Sequence, residues 1–221
     1  MMKERNAWTG YSAEELKAVD DLGAGYIDFL NNGKTERECA DQIVRMAEAE
    51  GYRDLEEVIR NGEKLEKGSR VYSVNMNKSV VLFNIGDDIV RDGLNILAAP
   101  IDCPRLDVKQ NPLYESDEYA YLNTQYYGGI KKYHWVTMPL AIHGVVAKKD
   151  GTVVKVTIGE DSADPVFFIS DLLIHLAQDQ MEKKASKVID GEALDVIMGT
   201  IPVDGDQKDA VKQNVLRLLK E

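Results

Sequence analysis

The side chains best suited to chemistry in this sequence are one aspartate, a neighbouring cysteine and three histidines. Asp102 follows a short apolar run that ends at Pro100. An acid at the carboxyl end of a buried strand is where α/β enzymes place ligands or catalytic groups. The same carboxylate could instead cap the next turn by accepting hydrogen bonds from backbone amides. Both interpretations of Asp102 stay open.

Cys103 is more typical of a small packing residue than of a reactive one. No histidine or lysine lies near Cys103 in the sequence to stabilise a thiolate, so a nucleophile is not expected there. Cys39 and Cys103 lie in unrelated sequence contexts, which predicts neither a disulfide framework nor a zinc-binding spacing.

The three histidines are not paired at metal-ligand spacing, and a self-contained zinc site would need about four donors. His175 lies in a leucine-rich segment, which favours a packed, hydrogen-bonded side chain over a catalyst. His143 alternates along a predicted strand and could face solvent. His134 belongs to a basic and aromatic cluster, Lys131–Trp135, which is typical of an interface or a substrate-facing loop.

The composition excludes several classes of function. The 221 residues include 27 Lys and Arg against 38 Asp and Glu, so the formal net charge is −11 and nucleic acid would be repelled. No apolar run approaches the roughly 20 residues of a membrane helix, and the start of the chain has no apolar stretch typical of a secretory signal. We therefore expect a soluble, reduced, cytoplasmic protein that binds neither nucleic acid nor membranes.

The elements that must position these side chains begin with three predicted helices. Ser12 with Glu15, and Thr35 with Glu38, form two capping-box patterns, and Asp54 is placed to cap a short third helix. Two β-rich segments follow, 70–74 and 79–85, joined by a turn at 75–78, and the apolar segment 95–99 predicts a third strand buried on both faces. Helices that feed a buried strand set indicate an α/β fold.

The second part of the chain has a different sequence pattern, in which predicted strands dominate. The boundary between the two parts is expected around residues 100–104. A helix is predicted from Ser170 or Asp171 to Met181, and another over 206–221. The predicted strands of this part are 119–127, 138–147, 153–158 and 166–169.

Four motifs in order carry a resemblance to a known family. They are the segments 100–106, 111–115, 126–129, and 139–141 together with 144–146, and the segments 164–166 and 174–176 continue the same order. Together they resemble the aminopeptidase I / aspartyl aminopeptidase family of zinc metallopeptidases. The similarity extends from the N-terminal helices to about residues 201–202.

In that family the metal site begins with His-x-Asp-Ser-Pro, whose histidine ligates zinc and whose aspartate orients a ligand. The resemblance places the aspartate at Asp102 and the last proline at Pro104, with Cys103 in place of the serine. Pro100 occupies the histidine position, and a proline side chain has no donor atom for a metal. The resemblance puts the other ligands and the general-base glutamate in the later half of a chain about twice this length.

The resemblance also implies two domains. Residues 1–101 would form the N-terminal part of the peptidase-type α/β domain, and residues 102–221 a β-rich domain through which the family dimerises and builds larger assemblies. The histidine matching His175 reaches the active site of the neighbouring subunit and helps to hold the substrate in the family. This raises His175 to a candidate site residue beside Asp102.

Two functional hypotheses follow. The first is a member or a piece of a zinc aminopeptidase, which acts on peptides through a two-metal site and is inactive as this chain alone, without bound zinc. The alternative is a non-catalytic assembly or regulatory module derived from that family, which Pro100 favours. An incomplete sheet leaves a strand edge and apolar helix faces unpaired, so the alternative predicts a chain that is at least dimeric. The resemblance implies a homo-oligomer formed through the β-rich domain.

Overall fold

The computed structural model describes residues 6–205 and 208–219 of the chain. The chain divides into two compact units, Met1–Cys103 and Pro104–Glu221. The sequence had placed the division between residues 101 and 102. No helix in the described ranges combines the length and the hydropathy needed to cross a membrane.

The helices of the first unit begin where the sequence predicted. Helix α1 spans Ala13–Asn32, α2 spans Glu36–Ala49 and α3 spans Leu55–Arg60. Both capping boxes form. The Ser12 side chain accepts a hydrogen bond from the backbone amide of Glu15, and the Glu15 side chain accepts one from the backbone amide of Ser12. Thr35 and Glu38 are paired in the same way. Asp54 caps α3 by accepting a hydrogen bond from the amide of Glu56.

The first unit contains a three-stranded sheet in the order β1-β2-β3. Strand β1 (Arg53–Asp54) runs parallel to β2 (Arg70–Asn75), and β2 pairs antiparallel with β3 (Ser79–Asn84). The predicted turn is confirmed, because Met76 and Asn77 both take positive φ, at 53° and 54°, as a tight hairpin requires. A short helix, α4 (Ile89–Asp92), follows the hairpin.

Small side chains from α2, together with residues of α3 and β2, form the buried part of this unit. Cys39, Ala40, Val58 and Val71 are each at most 2% exposed. The Tyr72 hydroxyl donates a hydrogen bond to Glu48, with 2.7 Å between the oxygens, and so ties β2 to α2. Helix α1 contributes no buried residue, so most of the packing depends on α2.

The predicted third strand over residues 95–99 is wrong. The structure has no regular element between Asp92 and Arg105 among its described residues. Ile96 is 79% exposed and Leu97 is fully exposed, so the expected burial is absent as well. Strand-forming side chains adopt an ordered strand only when a neighbouring strand accepts their backbone hydrogen bonds, and this segment pairs with none in the described part of the chain.

The second unit is rich in strands, as predicted. Its larger sheet has the order β4-β5-β8, and β6 and β7 form a separate antiparallel pair. The five strands are β4 (Arg105–Ser116), β5 (Tyr119–Tyr127), β6 (Ile142–Ala147), β7 (Val153–Ile158) and β8 (Val196–Gly199). The predicted segment 166–169 forms only isolated bridges, Leu140 with Phe167 and Phe168 with Ile197.

The sequence analysis missed β4 and β8. A proline inside β4 breaks the strand pattern, and the structure accommodates Pro112 at a register shift between Val108 and Leu113, where Asn111 takes a φ of 54°. Strand β8 is a four-residue apolar run, too short to show a period.

Two apolar clusters hold this unit together. The larger one centres on Leu194, which is 0% exposed, with Phe167, Ile169, Ile189 and Val196 around it. The smaller one forms where helix α6 (Ala210–Leu218) packs against the larger sheet through Val211, Val215 and Ala120. The predicted helix at 206–221 is therefore present over 210–218, and its outermost residues lie outside the described ranges.

The predicted helix over 170–181 is also wrong for most of its length. Residues 170–173 form no helix, Ile174–Leu176 form one 3-10 turn, and only α5 (Gln178–Met181) is α-helical. Leu172, Leu173 and Leu176 are 54–68% exposed. An amphipathic helix is stabilised mainly by packing of its apolar face, and these leucines are not buried within the described chain.

The unequal roles of α1 and α2 make a stability prediction. Thr35→Ala should lower the free energy of unfolding by about 1 kcal/mol, because the cap of a packed helix is lost. The matched control, Ser12→Ala, removes the same cap from α1, whose side chains are not buried, so its effect should be clearly smaller. Urea unfolding followed by circular dichroism measures both, and equal losses would contradict the assignment of the packing to α2.

Candidate functional site

The segment that carries Asp102 has no regular structure. Asp102 is exposed and Cys103 is half-buried, and both belong to the first unit. The next residues open the second unit, where Pro104 lies against Gly128: a Cβ added to Gly128 would be 3.6 Å from the proline. The Arg105 guanidinium stacks 4.1 Å over the ring of Tyr127 and binds Asp107, with 2.7 Å between Nε and Oδ1. Strand β4 is thus anchored directly after the motif, whereas Asp102 itself precedes the strand.

The structure relates the two cysteines, which the sequence placed in unrelated contexts. Cys39 is buried on α2, and its Sγ lies 3.5 Å from the carbonyl oxygen of Gly33. Burial is the largest cause that raises the pKa of the Cys39 thiol, and the charge of Cys103 raises it further. Cys103 therefore lies within electrostatic range of Cys39 on α2. Neither cysteine is part of a disulfide bond in the described ranges.

His175 occupies an exposed 3-10 turn in the second unit. The expectation of a packed histidine within a leucine-rich helix is wrong, because four apolar neighbours, Leu172, Leu173, Ile174 and Leu176, are themselves 54–68% exposed. The buried Ala177 anchors the end of the turn.

The other two histidines also have defined surroundings. His143 does not face solvent freely: its side chain is 11% exposed, and its Nε2 lies 2.9 Å from Glu160 Oε1. His134 is exposed and packs edge-to-face against Tyr133, with ring centroids 4.6 Å apart. Lys132 reaches over the ring of Tyr126 at 6.0 Å, so the predicted basic and aromatic cluster exists as a surface feature.

A partly buried polar network in the second unit was not predicted. The Tyr114 hydroxyl donates to Asp195, with 2.6 Å between the oxygens, and the other oxygen of Asp195 accepts the amide of Thr124. The Thr124 hydroxyl donates to the carbonyl of Leu194. Burial, and then the bond to Asp195, raises the pKa of Tyr114, so the phenol stays protonated. The network joins β4, β5 and the residues before β8, which lie far apart in sequence, so no local signal could have revealed it.

The residues present do not fit a zinc site. Zinc in proteins is held by about four nitrogen, sulfur or oxygen donors. Pro100 offers none, and across the ranges 6–205 and 208–219 no three His, Cys, Asp or Glu side chains are placed to hold a metal together. Asp102 is the one acid in the segment 100–104, and a single carboxylate is too small a donor set.

Comparison with known proteins identifies the class. Residues 29–221 match the family described as aminopeptidase I zinc metalloprotease (M18). A probable M18 family aminopeptidase 1 from Clostridium acetobutylicum is 52% identical over 223 residues, covering 100% of this chain and 48% of that protein. A protein of the same name from Thermotoga maritima is 44% identical over 220 residues and is covered to 47%.

Solved structures give the same result. The crystal structure of the M18 aminopeptidase from Thermotoga maritima superposes with a TM-score of 0.89 at 43% identity, covering 100% of this chain and 47% of that one. Aminopeptidase I from Clostridium acetobutylicum superposes with a TM-score of 0.85 at 52% identity, covering 100% and 49%. The chain belongs to the M18 family of zinc aminopeptidases. It spans about half the length of the curated relatives it matches.

These findings confirm the resemblance seen in the sequence, including the α/β fold class. They also make Pro100 an unexpected residue at its position. A member of a zinc metalloprotease family carries a residue without a donor atom at the position where the resemblance puts a zinc ligand.

Zinc binding tests this donor count. The wild-type chain should bind no stoichiometric zinc in calorimetric titration at micromolar concentration. Pro100→His should not create a tight site, because one added imidazole and Asp102 still fall short of the roughly four donors required. The Clostridium acetobutylicum relative is the positive control. Tight stoichiometric binding by the wild-type chain would show that donors converge in a way this structure does not contain.

Proposed function

We propose that this chain is one part of an M18-type aminopeptidase that removes N-terminal amino acids from peptides, and that it is inactive alone. The observation that carries the proposal is the 52% identity along 100% of this chain over only 48% of the relative. The donor count supports inactivity, because a metallohydrolase needs a held metal to activate water. The two-metal site implied by the resemblance would take its ligands from the part of the relatives that this chain does not span.

The two units would have different tasks. The first unit, with its sheet, would correspond to the N-terminal part of the peptidase domain, for which the proposed bounds are residues 1–101. The second would correspond to the dimerisation domain, for which they are residues 102–221, so that Asp102 lies at the proposed boundary. Asp102 is proposed to orient a ligand at the active site rather than to bind a metal by itself. A cytoplasmic location, and the lack of nucleic-acid and membrane partners, remain predictions from composition.

His175 would act across a subunit boundary. We assign to it the role of reaching the active site of a neighbouring copy and holding the peptide substrate there. Its exposure supports this role, as do the four exposed apolar side chains around it. Clusters of exposed apolar side chains are typical of protein interfaces.

A second function is favoured by one observation. Pro100 removes a donor at the first ligand position, and difference in chain length does not explain that substitution. The alternative is therefore a non-catalytic assembly or regulatory module that keeps the docking domain of the family.

An assay of aminopeptidase activity distinguishes both proposed functions from a chain that is an active enzyme by itself. The purified chain, supplied with zinc, should release no N-terminal residues from aminoacyl anilides above the rate of a buffer blank. The Clostridium acetobutylicum relative under the same conditions controls for the assay. Zinc-dependent turnover by the 221-residue chain would overturn the proposal, provided that it is lost after Asp102→Asn.

The oligomeric state tests the role of the surface around His175. In light scattering at micromolar concentration, the wild-type chain should be at least a dimer. Leu172→Glu with Leu176→Glu should shift it towards the monomer, because both side chains are more than half exposed and would carry charge into the interface. A clean monomer for the wild type would count against this assignment.

A further inference from the structure

The first unit contains a cavity of about 370 Å³ that the proposed function does not use. It lies among the end of α2, strand β1, helix α3 and the start of β2, so a single unit supplies all of its walls. Small-molecule sites in proteins typically measure roughly 300–1,000 Å³. Val58 and Val71 line the cavity and are each 2% exposed, and Leu65 adds a third apolar side chain. The cavity therefore has room for a small molecule and an apolar wall to receive part of it.

An ion pair holds another wall of this cavity. The Arg53 guanidinium binds the Glu63 carboxylate through both terminal nitrogens, with N–O distances of 2.7 and 2.9 Å. Asn61 donates a further hydrogen bond to Glu63. The hydrogen bonds from Arg53 and then Asn61 lower the pKa of Glu63 to about 2, so this carboxylate stays charged and paired across the neutral range. The pair is part of the wall, and a ligand must be recognised by other charged side chains.

Three further charged side chains line the cavity: the cations Lys64 and Arg70 and the acid Glu50. Nη1 of Arg70 donates a hydrogen bond to the backbone carbonyl of Glu50 at 2.8 Å, which brings the guanidinium to the end of α2. A guanidinium has five N–H donors, so others remain for a ligand. In the described ranges, no ion pair includes the side chain of any of these three residues. The cavity thus presents charges of both signs that no protein side chain neutralises.

Two cations, one carboxylate and an apolar wall are complementary to a zwitterion with an apolar side chain. The planar N–H groups of Arg70 match a ligand carboxylate, with the Lys64 ammonium as a second donor. The Glu50 carboxylate can only accept hydrogen bonds, and a ligand ammonium can only donate them. A free α-amino acid carries both charges on one residue, whereas a peptide carries them on different residues.

We propose that this cavity binds a free α-amino acid with an apolar side chain, with its carboxylate at the two cations, its ammonium at Glu50 and its side chain against the apolar wall. The choice of an amino acid rests on the proposed function, because removal of N-terminal residues from peptides releases free amino acids. The site would hold the product of that reaction.

A lone oxyanion such as phosphate fits the same lining less well. Its negative charge would be repelled by Glu50, and it has no apolar part to cover Val58, Leu65 and Val71. The formal net charge of −11 also disfavours the approach of an anion, whereas a zwitterion carries no net charge.

A nuclear magnetic resonance titration of the isotope-labelled 221-residue chain with L-leucine tests the proposal. Amide signals of residues 50–53 and 63–71 should shift and reach saturation. Leucine amide, which lacks the carboxylate, and N-acetyl-leucine, which lacks the ammonium, should each bind at least roughly tenfold more weakly, because a charged group of the cavity loses its partner. This ligand series needs no substitution and is independent of how well any variant folds.

Two variants assign the charges to residues. Arg70→Gln should weaken leucine binding by roughly tenfold or more, and Glu50→Gln should abolish the preference for leucine over N-acetyl-leucine. The matched controls, Arg60→Gln and Glu56→Gln, change exposed residues of α3 that do not line the cavity, and should leave binding unchanged.

Three results would overturn the proposal: no saturable shifts with leucine in the wild type, equal weakening in Arg70→Gln and Arg60→Gln, or tighter binding of inorganic phosphate than of leucine. Failure of the proposed function is distinguishable, because it is read from peptide hydrolysis, whereas this titration measures binding without turnover.

Discussion

A β-strand with apolar side chains on both faces needs a neighbour along each edge and cover above and below. Backbone amides and carbonyls away from water must find partners, and apolar side chains must be removed from water at the same time. In the first unit β2 meets this condition, with Val71 and Tyr72 buried on opposite faces. Strand β3 meets it on one edge only, and the segment 94–99 does not meet it at all. The first unit is therefore well packed around β2 and poorly packed at β3 and at the segment 94–99.

The same constraint bears on the chemistry. Only Pro100 and Ile101 separate Asp102 from the segment 94–99, so the position of Asp102 depends on a strand that does not form in this structure. Pro100 independently removes a donor atom from the motif. An unpaired segment and a substituted ligand position both act against a metal site, one through geometry and the other through composition. Membership of the M18 family is shown by the match over the whole chain, whereas a working site would require contributions that these residues do not make.

Local signals in the sequence predicted local structure well. The caps at Ser12, Thr35 and Asp54 are read from residues three or fewer positions apart, and each forms as predicted. The prediction of a strand at 95–99 and the prediction of a helix over 170–181 were wrong. Their apolar patterns require packing partners that are distant in the sequence or outside it. The pair of His143 with Glu160 and the network around Asp195 depend on contacts between distant residues, which no pattern in a single sequence specifies. The motif around Asp102 could be recognised from its residue types. The exposure of the Asp102 side chain could not be predicted from them.

The central claim is that the first unit is an incomplete sheet, and amide hydrogen exchange of the isolated chain measures this most directly. Exchange rates report the free energy of local opening, which is low where the backbone lacks hydrogen-bonded partners. The account predicts that amides of residues 94–99 exchange almost as fast as an unstructured peptide while those of β2 are protected. Strong protection of residues 94–99 in a monomeric sample would show that the segment already has its strand neighbours and would contradict the account.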